Sequence, residues 1–199
     1  MSTISWQEAL HALEEAIRRE EDDAAEAAAQ RLIQGPTEEV VPRLLPWTQD
    51  PDPDRRWWAL RVLAEMDHPD VPARLRAALQ DPDPGVRMVA ALALRRRPDP
   101  DALDALLALL GSRDRLLAHL AADALAALGR RATEGLMRVV EEGDIRSRAQ
   151  AVRALAQVKD PKAIPLLFRL LDDPSPLIAQ WAEEGLERLG IGMVFFWAK

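Results

Sequence analysis

The feature that most constrains the fold of this chain is an alanine followed four residues later by a leucine, repeated along its length. The pair occurs six times, at spacings of 31, 31, 31, 30 and 31 residues. Its members are Ala28 and Leu32, Ala59 and Leu63, Ala90 and Leu94, Ala121 and Leu125, Ala151 and Leu155, and Ala182 and Leu186. A fixed period of this size is typical of stacked units that cannot bury their apolar faces alone. The sequence therefore predicts a repeat protein.

Each repeat contains two helical patterns separated by turn residues, so each is expected to form a helical hairpin. Alanine and leucine favour helix over strand, and turns rich in Pro, Asp and Gly divide the helices. Alanine is small where the two helices approach closely, and leucine fills the same face one turn later. We expect about twelve helices and no sheet, in a single domain over 1–199. The predicted repeats span 5–34, 36–66, 69–97, 99–129, 131–158 and 160–190, and a tail follows at 191–199.

Capping residues and prolines indicate where individual helices begin. Ser5 and Glu8 have the spacing of a capping box, in which each side chain bonds the backbone amide of the other. Pro72 and Pro165 fall in the first turn of a predicted helix, where a missing N–H costs no hydrogen bond. Pro42 lies deeper in its helix, which predicts a kink there.

Composition limits the classes of function. The 199-residue chain has no cysteine, which excludes disulfides, thiolate metal sites and cysteine nucleophiles. Its net charge of −7 argues against general nucleic-acid binding, because a phosphate backbone favours a positive surface. The acids are concentrated in residues 1–54, which carry 13 acidic and four basic side chains. No signal-peptide pattern and no membrane-spanning apolar run is present, so we expect a soluble cytoplasmic protein.

The turn and helix from Asp81 to Leu94 resemble a known repeat. Asp81-Pro-Asp-Pro-Gly-Val-Arg, followed by Ala90-Ala-Leu-Ala-Leu, is similar to the HEAT-like repeat of the phycobilisome-lyase type. The segment from Asp160 to Leu167 resembles the linker and first helix of that family, and the likeness covers about 5–190. It implies an all-α fold, an α-solenoid of about six HEAT-like hairpins in a right-handed superhelix. Ala118 and Ala179 depart from the pattern, because they stand where the best-matched repeat has Arg87.

Catalytic motifs are not evident, and we expect no catalytic residue, metal site or cofactor. His11, His68 and His119 lie in different repeats without metal-ligand spacing. Aspartates in the turns could be paired carboxylates or calcium ligands, but turn formation and helix capping account for them more simply. These aspartates are Asp50, Asp52, Asp54, Asp81, Asp83, Asp172 and Asp173. Arg56, Arg87 and Arg148 share one repeat position, which predicts an Asp–Arg ladder between adjacent repeats.

The second helix of each repeat is the expected binding surface. In HEAT-like solenoids these helices line the concave face, and Trp57 lies about 160° around its helix from Ala59. The same position in all repeats is held by Glu26, Trp57, Met88, His119, Ala149 and Gln180. Exposed Trp and Met mark contact sites, although incidental exposure is the alternative. The predicted partner-binding residues are Trp57, Arg61, Met88, His119 and Gln180, whereas Trp58 and Trp181 are expected to pack between repeats.

The C-terminal tail is the other apolar anomaly. Residues 191–199 include Phe195, Phe196 and Trp197 but are far too few to span a membrane. The tail is expected either to fold back over the open end of the sixth repeat or to serve as a docking segment. The second alternative includes docking on another copy of the chain, so self-association through the tail stays open.

Two functions remain compatible with the sequence. The first is a non-catalytic scaffold or adaptor that binds another protein on the concave face. The second comes from the resemblance alone, because the family includes bilin lyases and chromophore-removing proteins of cyanobacteria. The same repeat also forms scaffolds in many other bacterial proteins. A bilin (phycobiliprotein chromophore) lyase or lyase subunit is therefore the alternative.

Overall fold

A computed structural model describes residues 5–191 and confirms the all-α fold class. This part of the chain contains twelve α-helices and no strand. The helices are α1 (Trp6–Arg18), α2 (Asp22–Ile33), α3 (Thr37–Leu44), α4 (Pro53–Leu63), α5 (Val71–Ala78), α6 (Pro84–Arg96), α7 (Leu103–Leu109), α8 (Arg115–Ala127), α9 (Thr133–Glu142), α10 (Ile145–Val158), α11 (Ile164–Leu170) and α12 (Pro176–Arg188). None of the helices within 5–191 is both long enough and apolar enough to cross a membrane.

Helix starts follow the capping chemistry expected from the sequence. The Ser5 hydroxyl accepts from the amide of Glu8 at 3.2 Å, and the Glu8 carboxylate accepts from the amide of Ser5 at 2.7 Å. Asp52, Asp114 and Asp144 cap α4, α8 and α10 through their carboxylates. The aspartate-rich turns are therefore used for capping, as the pattern indicated.

The first helices of the repeats are shorter than the sequence predicts. The sequence predicts first helices over 38–49, 101–110 and 161–171, but 3₁₀ turns lie at one end of each, at Leu45–Gln49, Pro100–Ala102 and Pro161–Ala163. A further 3₁₀ turn at Gly129–Ala132 lies in the break expected before the helix at 132–142. Two of these turns begin with proline, and a third contains Pro46. Pro42 lies inside α3, which ends two residues later at Leu44. Pro72 and Pro165 each follow the first residue of their helix, as expected.

The chain forms two compact units, 1–93 and 94–199, and their boundary falls within α6. In the first unit α1 packs on α2, and α4 packs on α2, α3 and α5. In the second, α10 packs on α8, α9 and α12, while α7 packs on α8 and α9. Each unit is thus built from hairpins that pack on the next hairpin in sequence. The single domain and its repeat bounds stay a prediction.

Burial confirms the register of the repeat. All six repeat alanines are completely buried, and the six leucines are at most 4 % exposed. Burying one leucine side chain is worth about 1.5–3 kcal/mol. Close approach is also visible at Gly185, where an added Cβ would lie 3.2 Å from the Cα of Ala156. The small residues therefore let α10 and α12 approach each other closely.

The predicted Asp–Arg ladder forms at two of its three positions. Arg56 donates to both carboxylate oxygens of Asp81 at 2.8 Å, and Arg148 donates to Asp173 at 2.6 Å. Arg87 instead donates to carbonyl oxygens of its own turn. Thirty-one residues after Asp81 the sequence has Ser112, so the equivalent carboxylate is missing there.

Candidate functional site

The first unit contains a cavity of about 530 Å³ at the beginning of α2, α4 and α6. Part of its wall is apolar and is formed by Ile17, Trp57 and Trp58. Six acidic residues also line it, namely Glu20, Asp22, Asp23, Glu26, Asp54 and Asp83. We call this space the Trp57 cavity. It combines two tryptophan side chains with six carboxylates.

The two tryptophans of α4 have different environments. Trp58 is buried, at 8 % exposure, whereas Trp57 is half-buried and faces the cavity. Their rings meet edge to face, with centroids 4.8 Å apart and planes at 81°. The packed Trp58 ring therefore supports the position of the Trp57 ring. This arrangement agrees with the sequence-based distinction between an outward Trp57 and a structural Trp58.

Glycine at position 85 lies beside the Trp57 ring on the cavity wall. A Cβ built on Gly85 would lie 3.7 Å from Cδ1 of Trp57 and 3.0 Å from a carboxylate oxygen of Asp83. The residues one repeat earlier and later are Asp54 and Leu116, so a side chain is usual at this position. Its absence in the third repeat widens the cavity next to the indole.

The carboxylates of the cavity repel one another. Burial raises the pKa of Asp54, and the nearby charges of Asp52, Asp83, Asp22 and Glu20 raise it further. No lysine or arginine is among the described residues that line the cavity. Helix N-termini favour negative charge, which explains why acids occur there.

Arg61 lies one turn beyond Trp57, and its charge is already paired. Its guanidinium donates to Glu26 at 2.7 Å and lies 3.7 Å from a carboxylate oxygen of Glu65. Arg61 thus links α4 to α2 close to the cavity. Met88 is half-buried on α6 and is not among the residues that line the cavity.

In the second unit, His119 lies beside a buried arginine that the sequence analysis missed. Arg153 of α10 is 8 % exposed and donates to the Asp123 carboxylate, while its Nη2 lies 2.9 Å from His119 Nε2. Its guanidinium carbon is also 6.0 Å from the centre of the Trp181 ring. Arg153 follows its repeat alanine by two residues, as Arg61 does. This shared repeat position could have identified Arg153 as a candidate from the sequence.

Gln180 lines a separate cavity of about 910 Å³ in the second unit. Phe168, Leu171 and Pro176 supply apolar lining, and Phe168 is 43 % exposed. The sequence did not indicate that Phe168 is exposed. Phe168 lies on α11, the first helix of its repeat, and only the second helices were expected to form the binding face. The predicted docking residues Phe195, Phe196 and Trp197 lie outside the described residues.

Metal-binding geometry is absent from residues 5–191. No group of three or more His, Asp or Glu side chains in this range is placed to hold a metal ion.

Helical hairpins that pack in sequence order define the class of this chain as a helical-repeat protein. A family model described as HEAT repeats matches residues 41–126 and again 105–187. The chain therefore belongs to the HEAT repeat family.

Comparison with known proteins gives one curated relative and similar solved structures. The bilin biosynthesis protein RpcF of Synechococcus sp. (strain WH8020) is 35 % identical over 83 residues, which are 41 % of this chain and 40 % of that protein. The chain thus spans less than half the length of this relative. Crystal structures of two engineered proteins are also similar. One has a TM-score of 0.55 at 21 % identity, covering 90 % of this chain and 99 % of the other. The second has a TM-score of 0.51 at 22 % identity, covering 86 % and 55 %.

Proposed function

We propose that this chain is a non-catalytic scaffold or adaptor that binds another protein through its second helices, with Trp57 as the principal contact. The observation that carries the proposal is the placement of Trp57 on the wall of a 530 Å³ cavity while Trp58 fills the core. A half-buried tryptophan beside a concave space is the usual form of an interface anchor. Membership of the HEAT repeat family supports the role.

The other predicted residues have secondary roles in this proposal. Met88 extends the apolar surface of α6, and Arg61 holds Glu26 in position at the cavity. His119 and Gln180, both exposed, are candidate contacts within the second unit. The tail residues Phe195, Phe196 and Trp197 remain a candidate docking segment, for a partner or for another copy of the chain. A cytoplasmic location is part of the proposal, and the lack of cysteine supports it.

Site-specific crosslinking followed by binding measurements tests this function. A photo-crosslinking amino acid replaces Met88 in one variant and Arg43, exposed on α3, in a matched control. The protein captured at position 88 but not at 43 is then purified. Its affinity is measured for wild type and for Trp57→Ala. We expect Trp57→Ala to lose about 2 kcal/mol of binding free energy, roughly thirtyfold in Kd. Unchanged affinity in this variant would contradict the proposal.

A bilin lyase, or a subunit of one, is the second candidate function. The similarity to the bilin biosynthesis protein RpcF favours it. Because the chain has no cysteine, it would hold a bilin without a thioether bond. Incubation with a free bilin and a chromophore-free phycobiliprotein tests this candidate through the visible absorption spectrum. Attachment of the chromophore only when this protein is present would overturn the non-catalytic proposal, and no spectral change would remove the alternative.

A further inference from the structure

We infer that the Trp57 cavity receives a basic segment of the partner, with an arginine or lysine side chain lying against the indole and its charge facing the carboxylates. This inference rests on the proposed function and specifies the chemistry of the partner. It commits to a cationic peptide, in contrast to a metal ion or an acidic segment.

The cavity has the dimensions and surface for such a side chain. Its volume of about 530 Å³ falls within the range of about 300–1,000 Å³ typical of sites for small ligands. It can therefore hold one or two side chains but not a helix. The apolar wall of Ile17 and Trp57 can cover the aliphatic part of a long basic side chain. The accessible indole ring can attract the cation, and it suits the planar guanidinium of arginine best.

The charge of the cavity favours a cation over an anion. Three helices begin there, and each N-terminus contributes roughly half a positive charge, about 1.5 in total. Six carboxylates line the same space, and one of them, Glu26, is paired with Arg61, so the five others exceed the positive charge of the helix N-termini roughly threefold. The raised pKa of Asp54 is consistent with this excess. A bound cation relieves the repulsion, whereas an acidic segment would increase it.

Two matched peptides test the inference. One fluorescein-labelled heptapeptide carries two arginines in a Gly/Ser background, and the other carries citrulline, which is similar in shape but uncharged. Fluorescence anisotropy gives their Kd values for the full chain. We expect the arginine peptide to bind at least tenfold more tightly. Equal affinities, or no binding of the arginine peptide up to about 1 mM, would overturn the inference.

Matched charge variants separate the cavity from the overall acidity of the chain. Asp23→Asn with Asp54→Asn removes two charges at the cavity, while Glu38→Gln with Glu39→Gln removes two from α3. The first pair is expected to abolish the preference for arginine and the second to preserve it. Equal loss in both would show that nonspecific charge attraction, not the cavity, binds the peptide.

The two proposals can fail separately. If Trp57→Ala weakens binding of the crosslinked partner but the cavity charge variants do not, the scaffold function stands and the basic-segment inference fails. If the charge variants abolish peptide discrimination while the partner still binds Trp57→Ala normally, the cavity binds cations but is not the partner site.

Discussion

In the two units, the residues at the same two repeat positions have different electrostatic environments. In the first unit Trp57 precedes its repeat alanine by two residues and Arg61 follows it by two, and Arg61 bonds Glu26 of the preceding repeat. In the second unit His119 and Arg153 hold the same two positions, and Arg153 reaches back to His119. Around Arg153 the charges are paired and buried. Around Trp57 the carboxylates are in excess and a cavity is open.

This difference shows which parts of a repeat are fixed and which can vary. The buried alanines and leucines set the packing of the hairpins in both units. Residues on the other face of the second helices are free of that constraint, so a charge-paired cluster forms around Arg153 while a cavity lined by carboxylates is open beside Trp57. The side chains around the two positions, not the backbone pattern, therefore decide whether the charges there are paired or in excess.

The largest expected effect separates the two neighbouring tryptophans of the first unit. Trp58→Ala removes a buried ring and is expected to cost about 3–5 kcal/mol of unfolding free energy. Trp57→Ala is expected to cost less, about 1–2 kcal/mol, because its ring is only half-buried but loses the edge-to-face contact with Trp58. Denaturant unfolding measures the loss of unfolding free energy in both variants. A loss for Trp57→Ala as large as that for Trp58→Ala would mean that Trp57 belongs to the core.

The next effect compares the two arginines that share a repeat position. Arg153→Ala leaves the Asp123 carboxylate largely buried without its main cation, and we expect a loss of about 3 kcal/mol. Arg61→Ala breaks a more exposed ion pair with Glu26 and should cost less than about 1 kcal/mol. Unfolding curves of the two variants check the contrast. Equal losses would show that the ion pairs of Arg61 and Arg153 contribute equally to stability.

Sequence patterns predicted the regular part of the molecule. The Ala and Leu positions, the capping box at Ser5 and the roles of the turn aspartates are local or periodic features, and the structure confirms them. The lengths of the first helices were less predictable, because proline can begin either an α-helix or a 3₁₀ turn.

The candidate site was predictable only in part. Helical rotation alone was enough to distinguish Trp57 from Trp58. The cavity itself depends on how α2, α4 and α6 converge, and no spacing within one repeat contains that information. Arg153 was missed for a related reason: its partners His119 and Asp123 lie in the preceding repeat, so its burial is set by the packing of α10 on α8.

Unfolding measured across acidic pH should show that two aspartates of the first unit, Asp81 and Asp54, affect the stability of the fold in opposite directions. Burial alone would raise the pKa of Asp81, but hydrogen bonds from Arg56 and the Asp83 amide lower this pKa below the ordinary value of an aspartate. Its contribution to stability is therefore present at neutral pH and is lost as the pH falls through the lowered pKa. We expect Asp81→Asn to cost about 1–2 kcal/mol at pH 7. The deficit should shrink below about pH 4, as measured by unfolding across pH.

The smallest effect has the opposite sign and comes from Asp54. Its pKa is raised by burial and by neighbouring carboxylates, so its negative charge destabilises the folded state above that pKa. Asp54→Asn removes this cost, and we expect a gain of a few tenths of a kcal/mol at pH 7, because the exposed carboxylate is screened by solvent. For a chain of this size the gain corresponds to a rise in Tm of roughly 1 °C. Calorimetry at pH 7 should detect it, and the gain should fade as acid protonates Asp54 in the wild type. Glu38→Gln, the same change of charge in the first turn of α3, is the control and should give no gain. A lower Tm for Asp54→Asn would show that the N-terminus of α4 offsets the repulsion, and the Trp57 cavity would then have little excess charge to offer a basic partner.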